Sequence, residues 1–212
     1  MPGVSAFGTA LYMHDGTVRT IVEVDTLENS FEVSGDVTAQ FPEGMSFKVV
    51  ASSDNDGDYT TLDSSYDAGL NRTTIFTVEN ITSGTADGFI QRWPLVAHVD
   101  TFSGPSLSVD AADVTSHDSP DRWEEVVPTV VRSGEITFDI NYDPEENSHQ
   151  LLIEAYETGV FRDFEVWFPV PSPGGTVWTL GGYVNGFEPS APHDDKLAAA
   201  ATVKPSGTAS LS

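Results

Sequence analysis

Residues 132–142 read Arg-Ser-Gly-Glu-Ile-Thr-Phe-Asp-Ile-Asn-Tyr, and their alternation decides the class of the fold. Successive side chains of an extended chain point to opposite faces. Ile136, Phe138, Ile140 and Tyr142 therefore share one side, and Glu135, Thr137, Asp139 and Asn141 the other. A strand of this kind has one face in a core and a carboxylate-bearing face toward water. Residues 161–168 repeat the pattern, with Phe164, Val166 and Phe168 opposite Asp163 and Glu165. Outward from these two runs, further strands are expected at 8–13, 94–102, 106–115, 176–186 and 197–203. The 18 Gly and 13 Pro are scattered as punctuation between short alternating runs, so the chain is expected to be mainly β.

One helix interrupts the strands. Asn147-Ser148 offers an N-cap, and Leu151, Leu152, Ala155 and Tyr156 fall at helical spacing before Gly159 ends the run. Asp143, Glu145 and Glu146 precede it, where the positive end of the helix dipole favours acids. The stretch 17–91 has a different rhythm. Five short strands are expected there, at 21–24, 30–33, 45–52, 59–66 and 73–78, separated by tight loops. Short strands at turn-bounded spacing make a small barrel or sandwich. The segments 9–12 and 94–99 flank it as strands of one sheet. The expected organisation is a discontinuous domain, 1–16 and 92–212, carrying an inserted β module over 17–91.

Composition narrows the function classes. The 212 residues hold 19 Asp and 14 Glu against 3 Lys and 6 Arg, a formal net charge of -24, with no Cys. At 39% hydrophobic and 10% aromatic the chain can bury a core despite that charge. Phosphate binding needs clustered Lys and Arg, so condensing nucleic acid on its own surface is excluded. The lack of Cys excludes disulfide frameworks, thiolate metal sites and cysteine nucleophiles. No run approaches the ~18 apolar residues of a membrane helix. The N-terminus lacks a basic region, and no signal peptide is expected. Self-repulsion of this size stresses the compact state unless salt screens it. The composition therefore fits very salty medium, or a surface that must not adhere to another polyanion.

Motifs for chemistry do not converge. Asp54-Asn-Asp-Gly-Asp58 departs from a calcium loop, with Tyr59 at the sixth position and Ser65 at the twelfth, and reads as a turn. The five His never pair at a metal-ligand spacing. His117-Asp118 lacks a nucleophile elbow to complete a triad. Acid pairs such as Glu124-Glu125 arise by chance among 33 acids. No catalytic residue, cofactor or metal site is expected. A secreted two-domain β-rich adhesin or carbohydrate-binding module is the competing reading, and an acid-using hydrolase stands behind it.

Four segments taken together are specific: Ser-Gly-Pro-Ser-Leu-Ser at 103–108, Ala-Asp-Val-Thr-Ser-His-Asp-Ser-Pro-Asp-Arg-Trp-Glu-Glu at 112–125, Ser-Gly-Glu-Ile-Thr-Phe-Asp-Ile-Asn-Tyr-Asp-Pro at 133–144 and Gly-Tyr-Val-Asn-Gly-Phe-Glu-Pro-Ser-Ala-Pro at 182–192. In this order and spacing the chain resembles the major tail tube proteins of long, non-contractile-tailed bacteriophages and related archaeal viruses. The resemblance covers about 8–15 and 92–207. It implies a two-sheet β-sandwich or barrel flanked by one α-helix, six-fold rings stacked into a tube, and no enzymatic activity. It implies as partners other copies of the chain, the tape measure, tail terminator and distal tail or baseplate proteins, with viral DNA passing through unbound and no membrane contact. The protein would be made in the host cytoplasm and end in the virion tail. The inserted module looks like one that decorates the exterior of such tubes. Glu135, Thr137, Asp139 and Asn141 would face the lumen, where like charge keeps DNA from sticking. The loop 113–122, with Asp113, Ser116, His117 and Asp118, would reach neighbouring subunits.

Overall fold

The computed structural model describes residues 8–116, 123–169, 176–193, 196–208 and 210–211. The chain divides into two compact units, one over Ala10–Val96 and one over Met1–Thr9 with Ala97–Ser212. The division falls a few residues outside the 17–91 segment.

In the first unit β1 (Ala10–Met13) leads into six strands: β2 (Val18–Asp25), β3 (Ser30–Ser34), β4 (Ser46–Val50), β5 (Gly57–Asp67), β6 (Arg72–Thr77) and β7 (Phe89–Arg92). The six close into a barrel in the order β2-β3-β6-β5-β4-β7. Five strands were expected from the sequence, and closure depends on the sixth. Strand β7 pairs with β2 (Val18 opposite Gln91) and with β4 (Phe47 opposite Arg92), so no edge is left open. Its four residues alternate too briefly to be recognised, and only Ile90 among its apolar side chains is buried. The barrel is packed solid. Phe31, Phe41, Phe47, Ile75 and Ile90 are buried to 1% exposure or less. Phe31 meets Tyr59 edge-on at 5.1 Å and Phe47 stacks on Tyr59 at 5.7 Å, arrangements that suit the ring quadrupoles. Of the 54–58 run, residues 54–56 lie in the connection between β4 and β5, and Gly57 and Asp58 already pair with β4 as the start of β5. The Asn55 side chain is buried and tied to residues 83–85 by hydrogen bonds to Ser83 O (2.9 Å) and from Ser83 N (3.2 Å).

The second unit holds β8 (Val99–Ser103), β9 (Leu107–Asp113), β10 (Val126–Ser133), β11 (Ile136–Asn141), α1 (Asn147–Thr158), β12 (Arg162–Phe168), β13 (Thr176–Ser190), β14 (Ala198–Pro205) and β15 (Ser210–Leu211). Within this unit the strands of the main sheet run β12-β13-β14-β11-β8, every neighbouring pair antiparallel, with β15 added beside β13. Strands β9 and β10 form a separate two-stranded ribbon. Among the described residues the chain is thus mainly β with one α-helix and a small closed barrel, as the sequence indicated.

Three local expectations are corrected. The run 132–142 is not one strand: it breaks at Gly134-Glu135, and Arg132 belongs to β10 while Ile136 opens β11. The helix cap is Glu146 rather than Asn147-Ser148, its carboxylate accepting from Ser148 N at 3.3 Å and Ser148 Oγ at 3.2 Å. Glu165 does not face water; it is 6% exposed and accepts from the Trp167 indole N–H at 3.2 Å. The alternation of β11 holds as read, with Ile136, Phe138 and Ile140 buried and Thr137 and Asp139 exposed. On the buried side lie Ala199, Ala201 and Val203 of β14, Leu180 and Val184 of β13, and Leu152 and Ala155 of the helix.

Candidate functional site

Two surfaces of the second unit bear on function. The first is the solvent face of the main sheet. Cross-strand register sets its composition, because residues directly opposite one another share a face. Asp139 pairs with Ala200 on one side and Thr101 on the other, and Ala200 pairs in turn with Glu188. The adjacent row is Ser103, Thr137, Thr202 and Gly186. Every side chain in these two rows is small or polar. Thr101 Oγ donates to Asp139 Oδ2 at 2.6 Å. At the end of the face Glu135 accepts from Asn185 at 3.5 Å and lies 4.0 Å from the Lys204 ammonium.

The structure therefore brings Glu135, Thr137 and Asp139 onto one exposed face, with Asn141 half-buried at the end of β11 and its N–H donating to His98 O at 3.0 Å. Glu188, Thr101 and Thr202 join them without having been singled out in the sequence. Strand β13 alternates around a bulge between Val184 and Gly186, which hides Glu188 from a simple period-2 reading. Lys204 makes the face mixed in charge rather than purely acidic.

The second surface is the ribbon. Val109 pairs with Val131 and Ala111 with Pro128, and these face the same way as Leu107. The result is an apolar stripe: Leu107 is 56% exposed, Val109 55% and Val131 69%. The other face carries Arg132, whose guanidinium binds Asp110 Oδ2 at 2.6–2.7 Å. That hydrogen bond holds the Asp110 carboxyl below its ordinary value and raises Arg132. A two-stranded hairpin of this kind is marginal in water by itself. Residues 126–131, Val-Val-Pro-Thr-Val-Val, were not recognised as a strand because Pro128 argues against one. In the ribbon Pro128 sits where the register shifts between Pro128 and Val131, a place that tolerates a missing donor.

The contact loop is only partly described. Asp113 ends β9, and hydrogen bonds from the Thr115 side chain and N–H hold its carboxyl below the usual value. Thr115 N reaches Asp113 Oδ1 at 2.8 Å, and Ser116 follows, exposed. His117 and Asp118 lie outside the described residues. Among the described residues no group of three or more His, Asp and Glu could hold a metal ion, and no helix is long and apolar enough to cross a membrane.

The site is clamped to the helix by a buried histidine. His149 is fully buried, its Nε2–H donates to Ala97 O at 2.9 Å, and its Nδ1 accepts from Asp143 N–H at 3.1 Å. Ala97 N–H in turn donates to Ser148 Oγ at 3.1 Å. Both backbone groups of Ala97 are thus held by the first turn of α1.

Curated protein sequences contain no match to the chain. A tail protein of an empty gene transfer agent particle, refined helically with C6 symmetry, superposes with a TM-score of 0.49 at 15% identity, covering 57% of this chain and 87% of its own. A protein from the virion of a native gene transfer agent particle gives 0.49 at 15% identity, over 57% and 88%. One from the baseplate of the anti-feeding prophage, 6-fold symmetrised, gives 0.46 at 8% identity, over 56% and 83%. The sequence profile described as "Lambda phage tail tube protein, TTP" matches residues 77–212, which include strands β8 to β15 and the helix. More than half of the chain lies within that match, and the chain belongs to the lambda phage tail tube protein family.

Proposed function

We propose that this structural tail tube protein assembles as stacked hexameric rings whose channel delivers a viral genome into a host. One observation carries the reading: the ribbon exposes Leu107, Val109 and Val131 on a stripe that none of the described residues of its own unit covers. A second copy of the chain would bury that stripe and give the marginal hairpin its missing support. The outer edge of β8, which among the described strands of its own unit pairs with β11 alone, offers backbone groups to a neighbour in the same ring. Asp113, Ser116, His117 and Asp118 are assigned to the same contact in this reading.

Glu135, Thr137, Asp139 and Asn141 are the lumen residues of this reading. What supports it is the make-up of their face, whose hydroxyls and small side chains offer DNA nothing to grip. Glu135, Asp139 and Glu188 repel phosphate, and the Lys204 ammonium lies 4.0 Å from the Glu135 carboxylate. The tape measure, tail terminator and distal tail proteins are the partners at the tube ends. The β barrel of 17–91 is an insertion carried on the tube exterior. The chain performs no catalysis, is synthesised in the host cytoplasm and acts in the virion.

Electron microscopy of the purified full-length protein tests this directly, with six-fold rings or tubes expected. Val109→Asp with Val131→Asp should leave a folded monomer that forms neither. Tubes of normal appearance from that variant would sink the reading. Deleting residues 116–120 should likewise give a folded chain that does not polymerise.

A further inference from the structure

Strands β8 and β9 are consecutive, as are β10 and β11, and the two pairs form one long hairpin. Its register passes unchanged through the break between sheet and ribbon. Thr137 faces Ser103 on the sheet side and Ser133 faces Leu107 on the ribbon side, four residues further along each strand. The ribbon is therefore the same hairpin, redirected at a corner formed by residues 104–106 and 134–135, and no residue has slipped.

The corner needs two glycines. Gly104 has φ +105, a region that side-chain-bearing residues rarely adopt, and a Cβ there would collide with the Glu135 carbonyl oxygen and lie 3.2 Å from Ile136 Cα. A Cβ on Gly134 would stand 2.5 Å from the Ser106 carbonyl oxygen and would strike Ser106 Oγ. The obstacles include main chain on both strands, so a rotamer change cannot relieve them. The approach is held closed by Gly134 N–H donating to Ser106 O at 3.1 Å, while Leu107 N–H donates to Pro105 O at 3.1 Å within its own segment and bends the chain there. Pro105 between them has no N–H to give to a ladder.

We infer that Gly104 and Gly134 are positioning residues for assembly: they fix the angle at which the ribbon leaves the sheet, and so where its apolar stripe meets the next copy of the chain. The inference rests on the ribbon's proposed role in assembly, but the corner itself is testable on the monomer. A side chain at either position must push the strands apart at their crossing. A change of a few degrees at the corner moves the far end of the ribbon by ångströms, since β9 alone extends about 24 Å at ~3.4 Å per residue. Val109 and Val131 would remain exposed and apolar but would point past their partner.

The chain has no cysteine, so Ala112→Cys and Ala200→Cys, both at exposed positions, place one spin label on the ribbon and one on the sheet. In dilute monomer the pair should give one narrow distance distribution. Adding Gly134→Ala or Gly104→Ala should shift or broaden it while the far-ultraviolet circular dichroism stays that of a β protein. The same substitutions without labels should abolish tubes. A broad distribution in the unsubstituted pair overturns the fixed corner, and that measurement stands even where a glycine variant does not fold. Superimposable distributions with and without Gly134→Ala overturn it as well. A shifted distribution together with normal tubes overturns the link to assembly. Absence of tubes from the wild-type chain would instead defeat the functional reading, with the label distances still deciding the corner.

Discussion

Arg92 and Asp15 form an ion pair at 2.7 Å with side-chain exposures of 10% and 2%. Burial lowers the Arg92 pKa and the Asp15 charge opposes that shift, while the guanidinium Nε has no partner. Removing one member leaves a buried charge uncompensated, which costs about 3–5 kcal/mol. Asp15→Asn should therefore lower the urea midpoint of unfolding sharply, and Asp15→Ala combined with Arg92→Met should recover much of the loss. Sequence reading singled out neither residue, since an Asp and an Arg 77 positions apart carry no mark of their pairing. The same holds for His149, whose burial and tautomer depend on Ala97 and Asp143 rather than on its own neighbours in α1. By contrast Thr137 and Asp139 were legible from the chain, because alternation by itself says which side chains of a strand share a face.

Helix α1 shows how far an element can be read from its sequence. Its end was clear: Gly159 adopts φ +62, the left-handed cap for which glycine is suited. Gly159→Ala should destabilise the unit by about 1 kcal/mol in thermal melts, because a Cβ is strained in that conformation. Its start was misplaced by one residue, since Glu, Asn and Ser in succession each offer a capping oxygen and backbone geometry chooses among them. The ribbon makes a pH prediction. Asp110 and Asp113 both have carboxyls held below their ordinary value by hydrogen bonds. Groups with depressed folded values stabilise above the unfolded pKa, about 3.9 for Asp, and lose that contribution as pH falls through the folded value. Hydrogen-exchange protection of β9 and β10 should be flat from pH 7 to about 5 and fall below about 4, whereas Asp110→Asn should weaken it at pH 5–7 and make the fall at low pH smaller.

At the scale of the whole chain the acid excess dominates. Residues 10–96 hold 14 Asp and Glu against 4 Lys and Arg, and the rest of the chain 19 against 5. Both units are strongly acidic, so a single lumen-facing surface does not account for the charge. Most ion pairs found are exposed, and such pairs offset little repulsion. Screening is the remaining relief: it removes repulsion between exposed charges more than about 10 Å apart at 0.1 M salt, and more than about 3 Å apart at 1 M. The melting temperature should rise steeply between low and molar salt, and tube assembly should need salt more than folding does, since rings bring six such chains together. A flat dependence of both on salt would remove the case for adaptation to a salty medium.

What this chain determined by sequence alone was its class, its alternating strands, the existence of one helix and its family, all of which depend on local periodicity and on motifs in order. Barrel closure by the short β7, burial of Glu165, the ribbon across Pro128 and the corner at Gly104 and Gly134 were decided only in the tertiary structure. Each of these depends on which distant segment a residue meets, and a period of two is silent on partners. Arg132 to Tyr142 carries both lessons. Its alternation declared the sheet correctly, and only the approach of Ser106 to Gly134 turned the hairpin there and made two surfaces from one run of residues.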